Sequence, residues 1–319
     1  MSERSVHLPR RSVLSVPASS ERFLEKAPQV PADMILLDLE DGVAPGEKAD
    51  ARRKVVEAIR ELAWNDRVLC VRLNAWDSEH TLRDVQEVVG RAGERLDEVM
   101  LPKAESAAQV VALDLVLTQV ERECGLPPGR TGIEVQIESA EALAHVGEIC
   151  RASRRLEAVV LGPADLAASL QMPTLTGGEP SPRYPGDVFH FALASILVAA
   201  RAAGIQAIDG PYLRLGDFEG LRVLAERSFA LGYDGKWAIH PDQVPVLNEV
   251  FTPSQEDFDR AHDVVVALDR AAAVDGRGAV RFAGEMIDEA TRKMALKVVA
   301  RGRLAGLERS PREPASTDG

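Results

Sequence analysis

Short aliphatic runs, each followed by a stretch of helical period, recur eight times along this chain, and that rhythm constrains its fold more than any other feature. The runs are RSVLSVP (11–17), MILLDLED (34–41), RVLCVRLN (67–74), DEVMLPK (97–103), IEVQIES (133–139), LEAVVLGP (156–163), IQAIDGPY (205–212) and GKWAIHP (235–241). Helices are predicted between them, beginning near Glu47, Ser106, Ala140 and Asp187; Leu113, Val116, Leu117 and Val120, for example, share one helical face. Strands alternating with helices imply a parallel sheet with helical crossovers. Eight such units fit an α/β fold of the (β/α)8 TIM-barrel type better than an open doubly wound sheet, for which about five or six strands are usual.

Beyond Phe251 the rhythm changes. Ser254 opens one helical segment, DGRGAV makes a turn, and GEMIDEATRKMALKVVARG resumes as a short helical element. The expected organisation is a catalytic barrel over 1–252, a small C-terminal helical lid segment over 253–307 and a disordered tail over 308–319. The Pro/Gly-rich stretch 172–187 is expected to lie over the barrel mouth as a lid or rim loop.

Charge narrows the partners. With 38 Lys+Arg against 50 Asp+Glu the net charge is −12, a balance that repels nucleic-acid phosphates and anionic lipid, so neither is expected as a partner. No apolar run reaches the roughly 20 residues of a membrane span, and MSERSVHLPRR lacks an apolar signal core, so a cytoplasmic location is expected. Cys70, Cys124 and Cys150 read as free, mostly buried thiols. No CxxC, HExxH, GxGxxG or GxxxxGK[ST] occurs, which removes common zinc, dinucleotide and nucleoside-triphosphate signatures.

The functional signal is at the strand ends. Asp38, Glu40 and Asp41, then Arg72 and Asn74, Lys103, Glu138, Asp209 and His240 close successive strands, and Asp165 follows the sixth. In a barrel all these ends share one face, where ionisable groups reach a partly wet mouth; a strand buried on both sides should otherwise contain no charge. Glu138 and Asp165 form the best candidate pair for a hard divalent ion, although Asp165 could equally cap a helix and Glu138 could be a helix-entry acid. Arg72 needs an anion there, either a substrate or Glu40 or Asp41. Lys103 reads as an ion-pair partner rather than an imine-forming lysine, since nearby carboxylates keep it protonated. The DLED acids, with Lys103, are read as support behind the reacting groups. His240 and Asp209 have structural readings at least as good as functional ones.

With these residues assembled, RSVLSVPASSERFLEKA, LLDLEDGVAPGEKADAR, VRLN, LDEVMLPK, QIES, LGPADLAAS, IDGPY and GKWAIHPDQVPVLNEVFTPS together resemble the HpcH/HpaI aldolase and citrate lyase β-subunit superfamily over about residues 10–302. GPADLAAS, DVFHFALASILVAARAAG and MIDEATRKMA are most similar to its L-malyl-CoA/β-methylmalyl-CoA lyase branch. The resemblance implies a Mg²⁺-dependent carbon–carbon lyase of the oxo-acid-lyase type, with Mn²⁺ as a substitute ion, acting on a coenzyme A thioester. Its reaction would convert malyl-CoA or β-methylmalyl-CoA to glyoxylate plus acetyl-CoA or propionyl-CoA; citryl-CoA lyase, and a thioesterase or malate synthase variant, are the alternatives. It further implies that Glu138 and Asp165 hold the metal, that Arg72 meets the thioester carbonyl, and that Arg22 and Lys26 meet CoA phosphates. Asp288 is implied to transfer a proton at the acyl carbon, donated to a neighbouring subunit of a homo-oligomer, a trimer or hexamer.

Overall fold

The structure, a computed structural model, describes residues 8–174, 184–275 and 278–310. Most of the lid-loop expectation (175–183) and the tail from residue 311 onward lie outside the described residues. The chain divides into two compact units, 1–251 and 252–319.

In the first unit all eight runs are strands: β1 (Ser12–Pro17), β2 (Met34–Asp38), β3 (Val68–Arg72), β4 (Glu98–Leu101), β5 (Gly132–Ile137), β6 (Leu156–Leu161), β7 (Gln206–Asp209) and β8 (Gly235–Ala238). They pair in parallel, in chain order, and β1 pairs with β8 to close the barrel. Helices follow the strands: α1 (Glu21–Lys26), α2 (Lys48–Glu61), α3 (Thr81–Ala92), α4 (Ala107–Glu123), α5 (Ala140–Ala144), α6 (Val146–Ile149), α7 (Pro163–Ser169), α8 (His190–Ala203), α9 (Phe218–Leu231) and α10 (Val244–Val250). The helix expected to run on from Ala140 is broken, because His145 leaves helical geometry at ψ 11°. Among the described residues no helix is long and apolar enough to cross a membrane.

Alternate residues along the strands fall into two separate buried clusters, as the two-residue strand period requires. Leu14, Ile35, Leu37, Leu69, Val71 and Val99 pack against the helices. Val13, Met34, Leu36, Cys70, Val160 and Trp237 pack almost entirely with one another and fill the middle of the barrel. This is the stacked interior of a packed barrel rather than a pore.

Charge does enter the strands at the opposite end from the mouth, against the sequence expectation. Arg10, just ahead of β1, donates to Glu98 at the start of β4 and to Gln206 at the start of β7, and lies 3.5 Å from Glu157. Glu98 and Glu134 are fully buried, and among the described residues neither carboxylate oxygen of Glu134 has a hydrogen-bond partner. Burial raises the Glu134 carboxyl to about 7, and nearby Arg10 only partly opposes it. Of the three thiols, Cys70 and Cys150 are buried but Cys124 is exposed.

The second unit pairs two helices, α11 (Gln255–Arg270) and α12 (Glu289–Leu304), with a hairpin of β9 (Ala279–Phe282) and β10 (Glu285–Asp288). Phe258, Val264, Leu268, Ile287 and Val299 make its core. The hairpin corrects the expectation of purely helical structure. Phe282 pairs with Glu285 across Ala283 and Gly284, which have φ of 47° and 88°. Two left-handed residues in a two-residue loop twist the strands into register, but Ala-Gly lacks the Asn-Gly or Asp-Gly signature that announces such a turn. Residues 308–310, assigned to the tail from sequence, bond back to α11: Gln255 donates to the Glu308 carbonyl at 2.9 Å and the Ser310 N–H donates to Asp259.

Candidate active site

Strand register builds the site. Asp38, last in β2, lies directly beside Arg72, last in β3. The Asp38 carboxylate grips the guanidinium at two points, accepting from Nε at 2.8 Å and from Nη2 at 2.7 Å. This bidentate geometry leaves the Nη1 end, which lies 3.0 Å from Glu40 and makes a 3.5 Å contact with Gln136 Oε1. The Trp237 ring lies beneath the guanidinium, 5.4 Å from its centroid to Cζ. Burial alone would raise the Asp38 carboxyl, but Arg72 overrides it and holds Asp38 below its ordinary range. Burial likewise opposes the charge on Arg72, and Asp38 overrides that too, so the pair is fixed in its ionic form. The partner anticipated from sequence was Glu40 or Asp41; Asp38 takes the principal role because the register puts it alongside.

Lys103 follows β4 in a left-handed conformation (φ 50°). Its ammonium lies 2.6 Å from Glu40 and 3.2 Å from Asp41. Burial lowers its affinity for a proton, but Glu40 outweighs that and raises it, which keeps the ammonium protonated in its ion pairs. Its backbone N–H donates to Glu138 Oε1 at 2.7 Å.

Glu138, just past β5, is 2% exposed. Its second oxygen accepts from Gln136 Nε2 at 2.6 Å. Burial, reinforced by Glu40 and Asp165, pushes its carboxyl up to about 8. Gly162 makes room for it: a Cβ there would fall 2.5 Å from Glu138 Cβ and 2.6 Å from its Oε2. Asp165 is exposed in the first turn of α7 and caps nothing, because Gly162 holds the N-cap position with no side-chain bond. That removes the N-cap reading of Asp165, which stands instead as an acid in the first turn of the helix.

Two carboxylates at an open rim suit a hard cation that keeps water or substrate oxygens in its remaining positions, as Mg²⁺ does. Among the described residues the only group of three with metal-compatible spacing is Cys70, Glu98 and Glu134, at the barrel's other end, where Arg10 already supplies positive charge.

The whole of this rim lies in the stretch that matches a known family. Residues 11–241 match HpcH/HpaI aldolase/citrate lyase. The chain belongs to that family. It is 43% identical over 303 residues to an L-malyl-CoA/β-methylmalyl-CoA lyase of Cereibacter sphaeroides, covering 91% of this chain and 94% of the relative. It is 38% identical over 298 residues to citrate lyase subunit beta of Escherichia coli, covering 93% and 95%. Among solved structures, CitE of Mycobacterium tuberculosis in complex with magnesium, acetoacetate and coenzyme A has a TM-score of 0.73 at 31% identity, over 93% of this chain and all of that one.

For a member of the HpcH/HpaI family, the remaining candidates fall in distinct places. Arg22 and Lys26 on α1 line a cavity of about 320 Å³ with Phe23, Ile239 and His240. His240 also accepts the Asp242 N–H at 3.2 Å, a turn-capping role. Asn74 donates to Asp84 at 2.7 Å and belongs to the loop's support. Asp209 leaves the strand-end set: it faces Lys236 at 2.6 Å, Arg227 and Ser228 of α9, outside the barrel interior. Asp288 lies in the second unit as the N-cap of α12, its Oδ1 accepting from Ala290 N and Thr291 N at 3.0 and 3.1 Å. Those bonds, that from the Thr291 N–H foremost, hold its carboxyl below the ordinary range.

Sequence reasoning missed Gln136 and Trp237. A signal for Gln136 was present: in IEVQIES the polar residues 134, 136 and 138 alternate with apolar ones, so all three share the interior face.

Proposed function

We propose that this protein is a divalent-metal-dependent CoA-ester lyase that cleaves malyl-CoA or β-methylmalyl-CoA to glyoxylate and acetyl-CoA or propionyl-CoA, and runs the Claisen-type condensation in reverse. The observation that carries this reading is Arg72, buried and clamped by Asp38, at the same rim as Glu138 and Asp165. The relatives named above support the substrate class.

Cleaving the carbon–carbon bond, with the β-hydroxyl proton released to solvent as that oxygen becomes the carbonyl of glyoxylate, leaves electron density on the thioester oxygen as an enolate. Arg72 meets that oxygen through its Nη1 end, and because Asp38 fixes the guanidinium beforehand, no reorganisation is needed as charge develops. Glu138 and Asp165 hold Mg²⁺ or Mn²⁺, which when bound supplies Lewis acidity to the oxygens of the oxo acid. Lys103 holds Glu40 and Asp41 in place and turns its own N–H toward Glu138. Arg22 and Lys26 receive the CoA phosphates, local positive charge in an acidic protein. Asp288 takes a proton from the acyl carbon in condensation and returns it in cleavage, using the oxygen that capping leaves free, in the site of a neighbouring subunit of a homo-oligomer.

Steady-state assays with malyl-CoA and β-methylmalyl-CoA, measuring glyoxylate and free CoA thiol separately, test this reading. Glyoxylate formed with acetyl-CoA or propionyl-CoA supports it; thiol release without the acyl-CoA product favours a thioesterase. Turnover of citryl-CoA alone would favour a citryl-CoA lyase, the reading the 38% relative suggests. Asp288→Asn separates two roles, since Asn caps a helix as well as Asp does. It should leave thermal unfolding unchanged and abolish hydrogen exchange at the acyl carbon; mixed with Arg72→Ala protein after subunit exchange, it should regain activity.

A further inference from the structure

We propose that Gln136 is a positioning residue that sets the orientation of Glu138 for metal binding and ties it to Arg72. The inference rests on the reading of Glu138 as a metal ligand and adds a residue to it.

Gln136 lies between two groups of opposite character. A guanidinium only donates hydrogen bonds and an ionised carboxylate only accepts them. The side-chain amide serves both, with Nε2 donating to Glu138 Oε2 at 2.6 Å and Oε1 facing Arg72 Nη1 at 3.5 Å. That chemistry fixes which way the amide points. Glutamate at this position could not donate to Glu138 when ionised, lysine could not accept from Arg72, and asparagine is shorter by one methylene.

The amide is 3% exposed and confined from a third side. A Cβ on Gly162 would lie 2.8 Å from Gln136 Nε2, so the turn from β6 to α7 places a glycine where the amide and Glu138 meet. Glu138 is then held at both oxygens, by the Lys103 N–H on one and by Gln136 on the other. Each oxygen keeps further lone pairs, so the carboxylate is oriented without being consumed. Hydrogen bonds behind a metal ligand of this kind typically account for about 10–100-fold in metal affinity.

The test uses the full-length protein without substrate. Mn²⁺ binding is followed by electron paramagnetic resonance, with Mg²⁺ as competitor and circular dichroism as the check on folding. Gln136→Met, close in volume and unable to make either bond, should raise the Mn²⁺ dissociation constant at least tenfold. It should also raise the Mg²⁺ concentration needed for half-maximal turnover. A purely structural role would lower the unfolding temperature and leave the dissociation constant alone. Should Gln136→Met unfold, Gln136→Ala carries the same expectation. A folded variant that binds Mn²⁺ within twofold of wild type, while Glu138→Gln loses binding, overturns this inference alone. Wild-type and Glu138→Gln proteins binding Mn²⁺ equally well would overturn the metal-site reading itself, and this inference with it.

Discussion

The barrel interior carries two arginine clusters, one at each end, with an apolar girdle between them. At the base, Arg10 meets Glu98, Gln206 and Glu157. At the rim, Arg72 meets Asp38, Glu40 and Gln136. The residue types are almost the same, yet the surroundings differ. Glu98 and Glu134 are wholly buried and Glu157 is mostly so, whereas Asp165 at the rim is exposed. The rim adds an arginine clamped by Asp38, its Nη1 end turned toward Glu40 and Gln136, and a buried glutamate near the exposed Asp165. A charge cluster that closes on itself serves the fold; one with an open side can serve a ligand, in keeping with the division of labour between the two faces of such barrels.

The comparison breaks most readily at the base. Arg10→Met leaves Glu98 buried beside Glu134 without a cation, and should lower stability by about 3–5 kcal/mol in urea unfolding. The protein that remains folded should keep the wild-type kcat/KM; a loss of kcat/KM without a loss of stability would make the base part of the active site. At the rim the expectation inverts. Asp165→Asn should reduce turnover more than about a hundredfold at limiting Mg²⁺, beyond what indirect partners of a metal ligand contribute. Its unfolding midpoint should stay within a degree or two (~1 kcal/mol corresponds to about 2–4 °C) because Asp165 caps nothing. Unchanged activity at limiting Mg²⁺ would remove Asp165 from the metal site.

The smallest effect concerns pH. Glu134 keeps a proton in the folded protein over a range where the unfolded chain has released it, between its ordinary 4.5 and about 7. Folding takes up a proton in that window, so this group makes stability fall as pH rises through it. Glu134→Gln removes the ionisation while keeping the shape. Its unfolding midpoint should therefore gain on wild type by a few degrees at pH 8 (~2–4 °C per kcal/mol) and little at pH 5, with activity unaffected. An equal shift at both pH values would show that Glu134 is not the group that titrates.

How much of this was legible beforehand differs between the two ends. Asp38, Arg72, Lys103 and Glu138 announced themselves because charge at the carboxyl end of an apolar strand has few uses besides a mouth. Arg10, Glu98 and Glu134 did not, since a charge inside a strand is legible only once its counter-charge is known, and Arg10 is 88 residues away from Glu98. The hairpin around Ala283 and Gly284 was hidden for a different reason: its left-handed turn is dictated by the register of β9 and β10 rather than by a strong turn dipeptide.

The sequence by itself determined the eight-fold alternation, the order of the strands, and which residue types stand at their ends, because side-chain period and backbone propensity are local properties. Only the tertiary structure decided which of those ends face one another. Asp38 rather than Glu40 clamps Arg72, Asp209 turns outward to Lys236, and Gln136 stands between Arg72 and Glu138. Those choices follow from strand register and barrel closure, which bring together residues with no local relation along the chain.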